Sequence, residues 1–410
     1  MMRREFLGAS LGYLCCVRDG LASPTLGRGL WCDESGAFAI GRCPEFGTGL
    51  FGFDYSIPRC GLVQPVAGGS WNMSGSLDGK ATPVQAIHVR HGTLVIGGRQ
   101  LRPVPLDRTR FDVTSESVRL SGEIAARADQ APRGTVMLIY GSGPAGKEAF
   151  DLWAFWFIAK GFKVITADKR GCGRSQGDWR LTSLESLAQD ALVIVNQARS
   201  CGARGPLYVW GASQGGWIEP QLGAAGAVDG IIMHAGSAML PREQMLAAVE
   251  AELRAYEFQD DEIARALAYY ALDTDVCLGV RPWSDIEAAY AKASAAGAEW
   301  LLAPPAKADA PERTMIRLMA NFDPAPYWGR SKVPTLAIYG GKDWIVPAAD
   351  NLAALNRIIA PNTDLKTEVL PAANHLMFVA KTGVRPEYPT LSRIDPGYFG
   401  AMSRWLDARS

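Results

Sequence analysis

Ser213 stands in the run Trp210-Gly211-Ala212-Ser213-Gln214-Gly215-Gly216, which reads G-x-S-x-G behind an apolar stretch, Leu207-Tyr208-Val209-Trp210. A nucleophilic serine belongs on a sharp turn from strand to helix, where flanking side chains would clash. Gly211 and Gly215 remove those side chains, and the N–H of Gln214 then points toward the oxygen of a carbonyl under attack. A glycine-rich turn without chemistry has the same five-residue pattern, so the reading depends on what else the chain supplies.

A serine hydroxyl is a poor nucleophile at neutral pH and needs a base, with an acid to orient that base. The chain holds four histidines. His88 and His91 lie in an alternating N-terminal stretch and read as surface hairpin residues. His234 ends the apolar run Gly230-Ile231-Ile232-Met233, upstream of any suitably placed acid, and reads as a structural strand histidine near the site. His375 follows the strand-like segment Leu365–Leu370. Pro334–Tyr339 reads as a buried strand that runs into Gly340-Gly341-Lys342-Asp343. Ser213, Asp343 and His375 thus each fall where a strand gives way to a loop, the position at which open parallel sheets place their sites.

From residue 109 onward this pattern resembles the α/β-hydrolase superfamily, and within it the branch with a β-rich N-terminal region and a G-S-G-P loop. Thr135–Gly143 corresponds to the third strand and is followed by Gly141-Ser142-Gly143-Pro144. Phe162–Ser175 corresponds to the fourth, ending in Asp168-Lys169-Arg170-Gly171-Cys172-Gly173-Arg174-Ser175, similar to the family's D-x-R-G-x-G-x-S turn. The chain order Ser213, Asp343, His375 is the superfamily's order. The resemblance implies that Ser213 is the nucleophile, His375 the base and Asp343 the acid. It further implies that the backbone N–H groups of Gln214 and Ser142 form the oxyanion hole. Gly143 is the next candidate donor, and Pro144 is excluded because it has no N–H. One departure stands out: the family has His-Gly before this loop and this chain has Tyr140-Gly141, which leaves the triad intact and the loop's donor open between Ser142 and Gly143. The charged run at Asp168–Arg170 reads as a tight turn fixed by its ion pair. No lysine follows its glycines in the manner of a nucleotide loop.

The 410 residues are 48% hydrophobic and 20% charged, enough for a large core. Basic and acidic residues balance at 42 each, which gives no electrostatic reason to expect nucleic acid or an anionic membrane as partner. The sequence holds no H-E-x-x-H and no paired C-x-x-C, so no metal and no cofactor is expected. Oligomeric state is not encoded in any motif.

Arg3-Arg4 directly before Phe6-Leu7, an uncharged stretch to Val17 and the small residues around Gly20-Leu21-Ala22 resemble a twin-arginine export signal. Residues 1–22 are expected to be removed and the mature protein to be periplasmic or secreted. The stretch is too short to span a bilayer, and no later run reaches the roughly 18 residues required. An oxidising compartment favours a disulfide among Cys32, Cys43 and Cys60.

Residues 23–108 are rich in Gly, Trp and Phe, alternate apolar with polar positions and read as a β-rich region. Residues 109–237 and 333–410 read as the two parts of a mostly parallel α/β sheet, split by a helical cap insertion at 238–332. Within the cap, Arg242–Tyr256 and Asp261–Leu272 read as helices, and Ser284-Asp285-Ile286-Glu287 reads as a capping box. The cap aromatics Tyr256, Tyr269, Tyr270, Trp283 and Trp300 read as its core. Asp260, Asp261 and Glu262 read as helix-start acids, and Glu250 and Glu252 as a solvated face.

The function expected is that of an exported serine hydrolase cleaving a small carboxylic ester through an acyl-enzyme. A peptidase or amidase of the same fold is the alternative, and a non-catalytic binding module on this fold is the reading from another class. With no cap acid calling for a charged ligand, short aryl esters are expected to be better substrates than aminoacyl amides.

Overall fold

Short strands separated by glycine-rich turns dominate residues 29–103 of the computed structural model. The structure describes residues 26–66, 69–301 and 304–409. The expected export signal therefore lies outside the described residues. Eight antiparallel strands, β1 (Gly29–Asp33), β2 (Gly36–Gly41), β3 (Leu50–Asp54), β4 (Arg59–Val66), β5 (Ser70–Ser74), β6 (Pro83–Arg90), β7 (Thr93–Ile96) and β8 (Arg99–Pro103), close into a barrel through a β1–β8 pairing. Alternation places Phe38, Ile40, Met73, Ile87, Leu94, Ile96 and Leu101 in its interior, all essentially without solvent exposure. His88 and His91 sit exposed on the β6–β7 hairpin, His91 with a positive φ in its turn.

The remaining strands form one sheet: β9 (Leu106–Ser115), β10 (Val118–Arg127), β11 (Thr135–Ile139), β12 (Lys163–Ala167), β13 (Leu207–Ala212), β14 (Gly230–His234), β15 (Thr335–Gly340) and β16 (Leu365–Leu370). Their spatial order is β16-β15-β14-β13-β11-β12-β10-β9, with β10 antiparallel to β9 and β12 and every later pair parallel. The central strands are buried on both faces, which explains their unbroken apolar runs. Helices α1 (Asp151–Ala159), α2 (Leu184–Ser200), α3 (Gly215–Ala224), α9 (Ala348–Ile358) and α10 (Pro396–Asp407) accompany this sheet.

Barrel and sheet share a single apolar core that runs from Phe51 and Phe53 to Trp153 and Phe399. Polar ties reinforce it. Arg28 donates to Asp151 at 2.5 and 2.7 Å and to Glu148 at 2.6 Å, and the Arg42 N–H donates to Asp151 at 2.7 Å. Tyr55 Oη donates to the Leu152 carbonyl at 2.6 Å, and the Cys60 N–H to the Ser392 carbonyl at 2.7 Å. The barrel is thereby held against the loops that carry the site.

Between β14 and β15 lie α4 (Pro241–Ala255), α5 (Asp260–Cys277), α6 (Trp283–Ala295), α7 (Pro311–Met319) and the short α8 (Ala325–Trp328). Tyr269 and Trp300 are buried in a small core of their own, with Tyr256, Tyr270 and Trp283 packed on it. The capping box expected at Ser284–Glu287 is not formed. Helix α6 begins at Trp283 behind Pro282, which puts Ser284 inside the first turn, and Asp285 pairs with Arg281 at 2.5 Å instead. A capping box does open α5, between Gln259 and Glu262. The disulfide expected among Cys32, Cys43 and Cys60 is likewise absent: all three are free thiols, and burial pushes those of Cys43 and Cys60 well up. No helix among the described residues is long and apolar enough to cross a membrane.

Candidate active site

β13 ends at Ala212 and the chain turns at once into α3, leaving Ser213 at φ +54°. A non-glycine residue in this left-handed region costs about 1–3 kcal/mol and persists only where its surroundings impose it. Here the backbone does so: the Ser213 N–H donates to the His234 carbonyl at 3.0 Å, and the Ser213 carbonyl accepts from Gly216 at 3.0 Å and Ser237 at 3.1 Å. Gly216 permits this approach, since a Cβ there would stand 2.5 Å from the Ser237 nitrogen.

Asp343 and His375 come from the loops after β15 and β16. Gly340 lets these loops touch, because a Cβ on it would meet the Ala373 and Asn374 carbonyl oxygens at 2.5 Å. The Lys342 N–H then donates to the Ala373 carbonyl at 2.8 Å. Asp343 Oδ1 accepts from the Ile345 and Val346 N–H groups at 2.8 and 2.9 Å, which leaves Oδ2 aimed at His375 Nδ1, 2.8 Å away. A carboxylate that accepts two backbone donors at one oxygen makes Nδ1 the donor and leaves Nε2 free to accept a proton. Burial by itself would lower the His375 pKa, but the Asp343 charge and hydrogen bond outweigh it and hold the imidazole above its ordinary 6.5.

His234 is a support. Its Nδ1 lies 2.8 Å from Tyr398 Oη, the ring packs against Trp153 and Trp210, and burial drives its pKa well down, so it stays neutral.

Ser142 follows β11 beside the nucleophile. A Cβ built on Gly141 would lie 3.3 Å from the Ser213 Cβ and 3.9 Å from its Oγ. The N–H groups of Ser142, Gly143 and Gln214 donate to no other protein group among the described residues, so each is free for a ligand oxygen. Tyr140, the departure from the expected His-Gly, turns into the core against Phe150, with ring centroids 4.9 Å apart.

The ion pair expected within Asp168–Arg170 is not formed. The Asp168 carboxylate accepts from the Lys147 and Arg174 N–H groups at 2.7 and 2.9 Å, while Arg170 pairs with Asp190 at 2.6 Å and Glu116 at 2.8 Å. Backbone donors of the turn saturate the aspartate and free the arginine for helix α2.

Four charged groups around the site escape the sequence reading. Lys169 points from the end of β12 at the Gly141–Gly143 loop. Glu252, read above as solvated, is buried and reaches Arg385 at 3.4 Å, with burial raising its carboxyl against the pull of that arginine. Arg385 in turn lies over the Trp344 ring, next to the candidate acid. Glu45, in the β2–β3 connection, keeps solvent access; the surrounding protein raises its carboxyl while His375 acts in the opposite direction. Its neighbour Phe46 packs edge-on against Phe378, at 5.2 Å. Glu45 makes no salt bridge to Lys or Arg among the described residues. A signal for it would have required knowing that the barrel's second loop meets the sheet. Among the described residues no group of three His, Cys, Asp or Glu side chains could hold a metal ion.

Residues 130–260 match the family described as serine aminopeptidase, S33. The esterase EstD of Thermotoga maritima is 25% identical over 295 residues, which is 70% of this chain and 65% of that protein, just under two thirds of its length. Among solved structures, an esterase of Pyrococcus furiosus superposes with a TM-score of 0.48 at 15% identity, covering 74% of this chain and 92% of its own. A thermophilic esterase of Thermogutta terrifontis gives 0.43 at 18% identity, covering 74% of this chain and all (100%) of its own. The strand order of the sheet and the serine elbow at its centre give the chain the α/β-hydrolase fold, and the matched segment carries that elbow.

Proposed function

We propose that this chain is a serine hydrolase that cleaves small carboxylic esters through an acyl-enzyme. The observation that carries this reading is the 2.8 Å Asp343–His375 pair on the loops after β15 and β16, at the same strand ends at which β13 delivers Ser213 in its constrained turn. Nε2 of His375 takes the Ser213 proton as Oγ attacks the ester carbonyl, and Asp343 stabilises the imidazolium. The Gln214 and Ser142 N–H groups receive the oxyanion, with Gly143 in reach if the loop presents it instead. His375 returns the proton to the departing alkoxide, and water repeats the cycle on the acyl group. That the relative from Thermotoga is named an esterase supports the ester. A fluorophosphonate should label Ser213, and Ser213→Ala should abolish labelling and lower turnover of an aryl acetate by about 10⁶. Labelling or turnover that survives the substitution ends the nucleophile assignment.

The reading includes export. Residues 1–22 act as a twin-arginine signal, and replacing Arg3 and Arg4 by lysine leaves unprocessed protein inside the cell. Equal yield outside the cytoplasm would refute that route.

A second reading, hydrolysis of aminoacyl substrates, is favoured by one observation. The Glu45 carboxylate and the His375 imidazole feel each other's charge, and Glu45 forms no salt bridge to arginine or lysine among the described residues, which leaves it free to take a substrate ammonium. The matched family description points the same way.

A further inference from the structure

The Lys169 side chain runs from the end of β12 into the gap between the two segments that hold the free N–H groups. Its Nζ donates to the Gly141 carbonyl at 2.9 Å, to the Gly143 carbonyl at 3.3 Å and to Gln214 Oε1 at 3.0 Å. The first two acceptors flank Ser142, and the third belongs to the residue that follows the nucleophile. One ammonium thus ties together both halves of the oxyanion hole. It also lies 5.0 Å from the centre of the Trp179 ring, which closes its remaining side.

The charged form is the one this geometry requires. An ammonium has three donors and no acceptor, and three acceptors surround it. A neutral amine has two donors and a lone pair, which would have to face a carbonyl oxygen. Two further features make the lysine the natural fastener here. Tyr140 is turned into the core against Phe150, and its hydroxyl bonds no group of the loop. Gly143 adopts φ +104°, so the loop carries little stiffness of its own.

We propose that Lys169 is the positioning residue of the oxyanion hole, its ammonium holding the Gly141–Gly143 loop and Gln214 at the separation that lets both N–H groups meet one oxygen. This rests on the hydrolase reading above. Burial pushes the ammonium down to about 8, opposed by Cys172. The groups facing it are few. From its own loop come Cys172, whose thiol burial raises, and Asp168, whose carboxylate is occupied by the Lys147 and Arg174 N–H groups. From the Trp179 segment come Asp178 and Arg180, which pair with each other at 2.8 Å. From the elbow comes the neutral Gln214, and Arg170 turns away to Asp190. No carboxylate of these bonds Lys169, so only three neutral acceptors and the Trp179 ring face oppose its deprotonation as pH rises.

The test uses the full chain, p-nitrophenyl acetate as substrate and a fluorophosphonate as a second probe. In the wild type, kcat rises with deprotonation of His375 and falls again as pH passes about 8. Lys169→Met lowers kcat by about 10–10², less than the loss of an oxyanion donor itself, with KM nearly unchanged. Lys169→Arg keeps the charge, recovers part of kcat and no longer shows the fall above pH 8. Labelling of Ser213 in Lys169→Met slows in proportion to kcat. A wild-type kcat that stays flat from pH 7 to 10, or an alkaline fall that persists in Lys169→Arg, overturns the proposal even if Lys169→Met cannot be purified. Absence of Ser213 labelling in the wild type strikes the hydrolase reading instead. Normal wild-type labelling with an unchanged Lys169→Met strikes only the role of Lys169.

Discussion

The two sides of the candidate site are built differently. On the acid–base side, Asp343 and His375 stand on loops after adjacent strands, locked by backbone contacts at Gly340 and by two N–H groups on the carboxylate. On the oxyanion side, Ser142 rides a glycine loop whose carbonyls are gathered by one side chain from another strand. The first side is fixed by main-chain geometry, which the absence of a side chain at Gly340 permits. The second depends on a single ionisable group. Substitutions should therefore act on the two sides with different pH signatures, and this contrast can be broken by experiment.

The largest expected effect, after loss of Ser213 itself, is on the acid–base side. Asp343→Asn should leave the fold and the thermal transition nearly intact and lower kcat by about 10⁴, because an amide no longer requires Nδ1 to carry the proton. The loss should also change with pH. Asp343 holds the His375 pKa above 6.5, so the acidic limb of kcat/KM in the wild type lies above that value and should move down when the charge is removed. Rate measurements from pH 5 to 9 on both proteins check this. An acidic limb that stays in place would mean that Asp343 does not set the base, and the supposed rigidity of this side would lose its meaning.

A smaller effect concerns the barrel, which meets the sheet beside His375. Glu45→Gln should change kcat/KM for neutral aryl esters by less than threefold, about 0.6 kcal/mol. For an aminoacyl ester or amide with a free ammonium it should cost about 10-fold or more, as the removal of one charged partner does. The same small change on both substrates would remove the reason for an aminoacyl specificity and leave Glu45 as a surface acid of the barrel.

These two sides were also unequally legible in the sequence. Strands β11, β13, β14 and β15 are runs buried on both faces, β16 is a largely exposed edge strand, and each gives way to a loop, so the strand-end positions of Ser213, Asp343 and His375 could be read from local pattern together with chain order. Lys169 lies 45 positions from Gln214 and reaches the Gly141 loop only because β12 packs beside β11. Nothing local separates it from the solvated lysines of other turns. Glu252 looked solvated because α4 has alanines around it, yet the loop bearing Arg385 covers that face. Ser284 failed as a helix cap because Pro282, two residues earlier, starts the helix first. For Lys169 and Glu252 the missing information was a contact between distant segments, which periodicity does not carry; for Ser284 it was the local competition of a proline for the helix start.

The smallest effect tests the elbow from behind. Glu219 of α3 is fully buried under β13, and burial drives its carboxyl well above the ordinary 4.5, opposed only by the Gly211 backbone. Its folded pKa exceeds the unfolded one, so the folded state binds the extra proton. The associated stability is fully present below pH 4.5 and is lost as pH rises toward the folded value. Glu219→Gln copies the shape of the neutral acid without this dependence. The variant should melt about 1 °C higher than the wild type at pH 8, the shift that about 1 kcal/mol gives in a chain of this size. The gain should shrink as the scans are repeated toward pH 4.5. A variant that is less stable than the wild type at every pH would show that the carboxyl oxygens do more for the elbow than a neutral hydrogen-bonding group can. The support of Ser213 would then rest on a side chain as well, and the contrast between the two sides would narrow.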